Sequence, residues 1–262
     1  MEKRIRSLLA LFMVLSLTVV HAQKVTPSKK YVTKELTDVK NFSIISAVGS
    51  TDVEYKQVKS DVSRVSIYGS DNVVGLLNVT TINGVLQISF KKGVSIINGN
   101  SKLKVIASSP VLDKVIIKGS ADVNLKGNIS GKNLQLLIFG SGDMVAENLK
   151  YTTIASTIKG SGDLDLKKID VVSANIEVFS SGDVDVKGAT QSATLLVEGS
   201  GDISASKLTA KNVMATVYGS GDISCYATER LDARVKGSGD ISYSGSPSIV
   251  NKEGRRDNIS GK

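Results

Sequence analysis

The sequence predicts an all-β protein: a parallel β-helix (β-solenoid) with about 20 residues per coil and a right-handed winding. Three observations carry this prediction. A Gly-Ser-Gly-Asp turn recurs along the chain at near-constant spacing, the residues flanking each turn alternate apolar and polar, and no stretch beyond the N-terminus shows a helical period.

The turn comes first. It occurs as GSAD at 119–122, GSGD at 140–143 and 160–163, SSGD at 180–183, and GSGD at 199–202, 219–222 and 237–240. The acids are Asp122, Asp143, Asp163, Asp183, Asp202, Asp222 and Asp240, spaced 18 to 21 residues apart. Weaker echoes lie upstream at Gly49-Ser50-Thr51-Asp52 and Gly69-Ser70-Asp71. Between Asp71 and Asp122 the motif is lost, but strand-like patterning continues through Asn78–Phe90 and Lys102–Ile106.

The flanks supply the strands. Five positions before each Asp stand Ile117, Ile138, Ile158, Val178, Val197, Val217 and Val235, all β-branched. One position after it stand Val123, Met144, Leu164, Val184, Ile203, Ile223 and Ile241. Two further on come Leu125, Ala146, Leu166, Val186, Ala205, Cys225 and Tyr243, with mostly polar residues between. A period of two buries one face of a strand. A meander would need return strands of alternating character. Here every unit has the same polarity and the same turn, so units stacked in one direction are the simpler solution. A coil of twenty residues, at roughly 3.3 Å each, closes a three-sided perimeter near 60 Å. Burying one β-branched side chain is worth roughly 1.5–3 kcal/mol, and a column of them holds the rod. Residues 38–250 then form a single solenoid of roughly ten coils, with 23–37 as a lead-in and 251–262 as a loose polar tail.

The N-terminus predicts export. Lys3, Arg4 and Arg6 precede an apolar run from Leu8 to Val20, and Val20-His21-Ala22 presents small residues where a signal peptidase reads. Residues 1–22 are therefore a signal peptide, and the destination is the periplasm, the outer-membrane surface or the extracellular space. The run is too short for a transmembrane helix, and no later one is long enough.

Cleavage removes His21, the only histidine, which excludes Ser-His-Asp, Cys-His and His-ligand chemistry. Cys225 is alone, so no intramolecular disulfide forms. Without Lys3, Arg4, Arg6 and Glu2 the net charge falls from +8 to +6, with no dense basic block. No cofactor and no nucleic-acid partner are expected; a cell-surface glycan or an envelope protein is, and the oligomeric state stays open.

Two sets of residues are candidates for more than structure. The turn acids would lie about 5 Å apart along the rod, where two carboxylates in water repel by roughly 0.8 kcal/mol. Hydrogen bonds from backbone N–H or Ser hydroxyl groups would offset this; the alternative is a calcium ladder on Asp143, Asp163, Asp183, Asp202, Asp222 and Asp240. Four positions before each Asp, an outward column runs Lys118, Phe139, Lys159, Phe179, Glu198, Tyr218 and Lys236. Its rings can lie beside its lysines or face a ligand, with Lys118, Phe139, Lys159, Phe179, Tyr218 and Lys236 as the binding candidates. The leading functional reading is a non-enzymatic, adhesin-like or scaffolding module of the cell envelope. A polysaccharide lyase or hydrolase is the alternative, with Asp165 and Asp185 as paired carboxylates and Lys167, Lys168 and Lys187 nearby in sequence.

These features resemble one known family. Recurring Gly-Ser-Gly-Asp followed by Ile, Val or Leu is similar to the head GIN domain of auto-transporter adhesin heads. So is the opening, Phe42-Ser43-Ile44 leading to Gly49, then Tyr68-Gly69-Ser70-Asp71-Asn72 and Gly84-Val85-Leu86-Gln87-Ile88. The close, Tyr243-Ser244-Gly245-Ser246-Pro247-Ser248, also fits, so the likeness runs over residues 38–260. It implies an exported protein of a Gram-negative bacterium, a β-helical fold and no established activity.

Overall fold

The computed structural model describes residues 23–97, 102–254 and 257–262. The segment read as a signal peptide lies outside them. The strands are β1 (Gln23–Val25), β2 (Tyr31–Leu36), β3 (Ile44–Gly49), β4 (Asp52–Gln57), β5 (Arg64–Ser70), β6 (Leu77–Ile82), β7 (Val85–Phe90), β8 (Val94–Ile96), β9 (Lys104–Ser109) and β10 (Lys114–Gly119). After them come the long strands β11 (Val123–Gly140), β12 (Met144–Ile158), β13 (Leu164–Val178), β14 (Val184–Val197), β15 (Ile203–Val217) and β16 (Ile223–Val235), then β17 (Ile241–Ser244), β18 (Ile249–Glu253) and β19 (Ile259–Gly261). One 3-10 turn, Val74–Leu76, interrupts them. Among the described residues no helix is long and apolar enough to cross a membrane.

The chain is a β-solenoid of about seven turns with about 20 residues per coil. β10 to β16 stack in parallel, like on like. Each long strand holds three paired runs. On β11 and β12 these are Val123–Leu125 on Met144–Ala146, Asn128–Gly131 on Asn148–Tyr151, and Asn133–Ile138 on Thr153–Ile158. The breaks between runs are corners, and the burial pattern shows how the chain rounds them. On β12 the inward residues are Met144, Ala146, Leu149, Tyr151, Ile154, Ser156 and Ile158, each 4% exposed or less. Alternation by two becomes a step of three at 146–149 and again at 151–154. The extra residue turns the backbone while the same face stays inward.

The expected columns are present. The β-branched residues from Ile117 to Val235, and the apolar ones from Val123 to Ile241, are all buried. Cys225 sits in register between Ala205 and Tyr243, and burial pushes its thiol up to about 12, which leaves it inert.

Residues 58–112 do not carry the regular repeat, because β5 and β6 run antiparallel to β9 and β7, and the regular turns number about seven and not ten. β3 and β4 lie directly beneath β10 and β11, and the intervening chain closes the N-terminal end. β7 lies under β3 and β9 under β4, both parallel. Their outer edges pair antiparallel with β6 and β5, and β2 pairs antiparallel with β5. The β6–β7 hairpin turns through Asn83 and Gly84 at φ 50 and 76, the two left-handed residues that a tight hairpin needs. Antiparallel strands thus end the parallel stack. The echo at Gly69-Ser70-Asp71 belongs to this cap and not to a coil: Asp71 accepts from the Ser28 hydroxyl at 2.6 Å and pairs with Lys30.

The C-terminal end carries one more coil and no antiparallel cap among the described residues. The stretch read as a loose polar tail is the last coil, because β18 pairs with β16 and β19 with β17. Asn258 takes the place of the turn Asp: its carbonyl accepts from Ile241 N–H at 2.8 Å, as each Asp carbonyl does for the coil before it.

Candidate functional site

Two surfaces run the length of the rod, the turn column and the outward face next to it. In the turn column, backbone approaches backbone. From Ser141 to Gly239 each coil forms a fork in which the Ser and second-Gly N–H groups both donate to one carbonyl of the coil below; Ser161 and Gly162, for example, reach Gly140 at 2.8 and 3.1 Å. A Cβ on Gly162 would lie 2.1 Å from the Gly142 oxygen, and equivalent contacts recur at Gly182, Gly201, Gly221 and Gly239. Glycine is required because nothing larger fits between stacked turns. The two departures are accommodated locally. At Ala121 the fork is absent: only Ser120 N–H reaches Gly49 O. Ser180 replaces the first Gly, and its hydroxyl bridges Gly160, accepting from the N–H at 2.7 Å and donating to the carbonyl at 2.5 Å.

The acids form a continuous chain. Oδ1 of Asp52 accepts from Asp122 N–H, and the pattern repeats through Asp143, Asp163, Asp183, Asp202, Asp222 and Asp240 at 2.7–3.1 Å. Asn258 ends it, donating from Nδ2 to Asp240 Oδ1 at 2.7 Å and to Gly239 O at 3.0 Å. Each carboxylate thus stabilises the turn above it, and this offsets the repulsion along the column. At Asp52, where the column starts, burial holds the carboxyl above its ordinary range. Among the described residues no group of three or more His, Cys, Asp or Glu side chains converges to hold a metal ion. Asp163→Ala is expected to cost about 1 kcal/mol, one hydrogen bond. Asp163→Asn, which keeps the acceptor and removes a like charge, is expected to stay within about 0.5 kcal/mol of the parent. Thermal unfolding of the pair at low and high salt separates the two contributions.

Asp165 and Asp185 are in register on neighbouring coils. They line an open groove of about 310 Å³ with Asp143, Asp163, Asp183 and Ser204. Of the lysines near them in sequence, one stays beside them and two turn away. Lys187 pairs with Asp185 at 3.0 Å, and that hydrogen bond and charge raise its own ammonium above the usual lysine range. Lys167 lies close enough to Glu147 to help depress its carboxyl, whose main cause is the Gly127 N–H. Lys168 turns to another groove, with Lys150 and Asp170.

The outward column follows the coils, and its backbone N–H groups from Lys159 to Lys236 all bond to the coil below. Lys118 and Phe139 are in register above Val48. Lys159 Nζ lies 4.9 Å over the Phe179 ring. Phe139 and Phe179 are half-buried, whereas Tyr218 is 45% exposed.

Tyr218 opens onto a groove of about 710 Å³. Its floor is three registered rows: Met214, Asp232 and Asn251 in one, Thr216, Arg234 and Glu253 in the next, and Arg230 beside Asn212 at its edge. The Asp232 carboxylate accepts from Arg230 Nε at 2.6 Å and Nη2 at 3.0 Å, and from Asn251 Nδ2 at 2.6 Å. Hydrogen bonding to Arg230 and Asn251 holds that carboxyl below its ordinary range. Arg234 pairs with Glu253 at 2.6 Å. Sequence reasoning found Tyr218 and missed the rest. The signal was present in the alternating Arg230, Asp232 and Arg234 before the last motif, but the opposing row comes from the segment read as a tail.

The comparisons with known proteins agree with this geometry. The family described as putative auto-transporter adhesin, head GIN domain, matches residues 41–247. A crystal structure of a putative adhesin from Bacteroides fragilis is 31% identical, with a TM-score of 0.66, covering 90% of this chain and 96% of that one. A putative lipid binding protein from Parabacteroides distasonis is 25% identical, with a TM-score of 0.82, covering 92% and 100%. A putative adhesin from Parabacteroides merdae, 20% identical with a TM-score of 0.82 and the same coverage, shares the fold. No curated protein matches. A solenoid with this turn column, matched by the family over most of its length, belongs to the head GIN domain family.

Proposed function

We propose that the protein is an exported, non-enzymatic module of the cell envelope that binds a surface ligand along its outward face, in the manner of an adhesin. One observation carries the reading: the outward column from Lys118 to Lys236 follows coil after coil in register, a flat strip of alternating charge and aromatic surface with no inserted loop. Active sites on such scaffolds need residues that break the repeat and converge. Here Asp185 is already paired with Lys187, while Lys167 and Lys168 stand apart. The adhesin names of relatives support a binding role, and fold likeness alone would not.

The test uses the mature chain, residues 23–262. It is expected to co-sediment with envelope fractions, to be reached by external protease on intact cells, and to release no product from a panel of acidic polysaccharides. Turnover abolished by Asp165→Asn or Asp185→Asn would replace the binding module with a lyase or hydrolase.

A further inference from the structure

We propose that the groove between β15, β16 and β18 binds a short acidic oligosaccharide, with Tyr218 as the stacking platform and Arg230 and Arg234 as the groups that read its carboxylates. The inference rests on the binding-module reading and locates its ligand.

The groove is organised before any ligand arrives. Arg230 and Asn251 are both fixed on Asp232, and Arg234 on Glu253. Ordering such long side chains costs affinity when a ligand has to do it. Here the strand register and the ion pairs have done so. Yet the arginines are not used up. A guanidinium carries five N–H donors, and Arg230 spends two of them on Asp232. Both side chains remain 45–46% exposed on the groove. Their remaining edges are planar forks suited to a carboxylate or a vicinal pair of sugar oxygens.

Charge then selects within that class. Arg230 and Arg234 line the groove against Asp232 and Glu253, and Lys236, 4.0 Å from Glu253, adds a third cation. The excess is positive and modest, enough to favour an acidic ligand and too small and too local for a polyanion tracking the whole rod. One wall is apolar: Tyr218 is 45% exposed and Met214 53%. A ring face beside a donor array fits a pyranose carrying a carboxylate better than a bare anion, which has no use for the apolar wall. The three rows, set two residues apart, span about 13 Å along the strands, the reach of a short oligosaccharide and not of a single ion.

The experiment titrates the mature protein calorimetrically with a galacturonate trimer and, in parallel, with a neutral glucose trimer. Binding is expected to the acidic trimer and to weaken as ionic strength rises. Tyr218→Ala and Arg234→Gln are each expected to weaken it roughly tenfold, the loss of one strong contact. Tyr218→Phe, which keeps the ring, and Thr33→Ala, exposed on β2 in the N-terminal cap, are expected to leave it unchanged. Matching melting curves for all four show that the fold is kept. Equal affinity for the neutral trimer, indifference to both groove substitutions, or binding to phosphatidylglycerol vesicles in place of the trimer would overturn the assignment. If the protein still attaches to envelope fractions while no acidic sugar binds, the groove assignment falls and the binding-module reading stands.

Discussion

Gly162→Ala is expected to lower the melting temperature by roughly 3–10 °C, the 1–3 kcal/mol of an overpacked interior spread over a chain of this size, while Gly75→Ala leaves it unchanged. The difference lies in what a methyl group meets. At Gly162 it would sit 2.1 Å from the Gly142 carbonyl oxygen, which belongs to the backbone and cannot rotate away. Relief requires the two turns to separate, and separation strains the fork from Ser161 and Gly162 to Gly140 and the bond from Asp163 N–H to Asp143. In a solenoid each coil is held chiefly by its neighbours, so the coils above and below lose together. At Gly75 a Cβ meets nothing within 4 Å, and alanine removes some freedom from the unfolded chain. Ala121 shows that the constraint is local, since its coil makes no fork. Differential scanning calorimetry of the two variants decides the matter: an unchanged transition for Gly162→Ala would mean that successive turns are not in contact.

The same contact explains how much of this fold was legible in the sequence. Glycine, β-branched residues and Asp each recur every twenty residues because each meets its own counterpart one coil away, so the local pattern and the long-range contact are one fact. Where neighbours in space are not one repeat apart, the pattern is silent. Asp122 N–H bonds to Asp52 Oδ1 across 70 residues, and nothing in either sequence segment announces that β5 and β6, within chain 58–112, turn antiparallel and break the repeat. The last coil was hidden for the opposite reason. Asn258 holds the Asp position with its amide turned back to Asp240, so the motif ends while the structure continues. The groove shared the same fate, since Asn251 and Glu253 lie in that coil. The outward column was legible as a column, but periodicity fixes only which way a side chain points. It does not say that Phe139 and Phe179 are half-covered while Tyr218 stands open.

The end of the rod yields the second large effect: Lys252→Leu is expected to drive concentration-dependent self-association relative to the parent chain. Lys252 is in register with Ala233, and the column below it is Ala215, Leu195, Ile176, Ser156 and Leu136, all buried. A lysine therefore occupies a core position in the last coil, on which none of the described residues stacks. Its Nζ lies 4.9 Å over the Tyr243 ring and donates to Ile259 O at 3.1 Å, so the ammonium is drawn across the open end. A second molecule docking there would have to bury that charge, at a cost of several kcal/mol. An inward-pointing charge is one of the devices that protect an unpaired strand edge. Leucine removes the penalty and adds roughly 1.5–3 kcal/mol of burial per copy, beside Ile249 and Val250, already 47% and 38% exposed, and the free edges of β18 and β19. Sedimentation velocity over a concentration series is expected to show larger species for Lys252→Leu and an unaltered distribution for Lys252→Arg, which keeps the charge. If all three proteins sediment alike, the lysine does not guard the end, and the pairing geometry of the last coil alone must keep molecules apart.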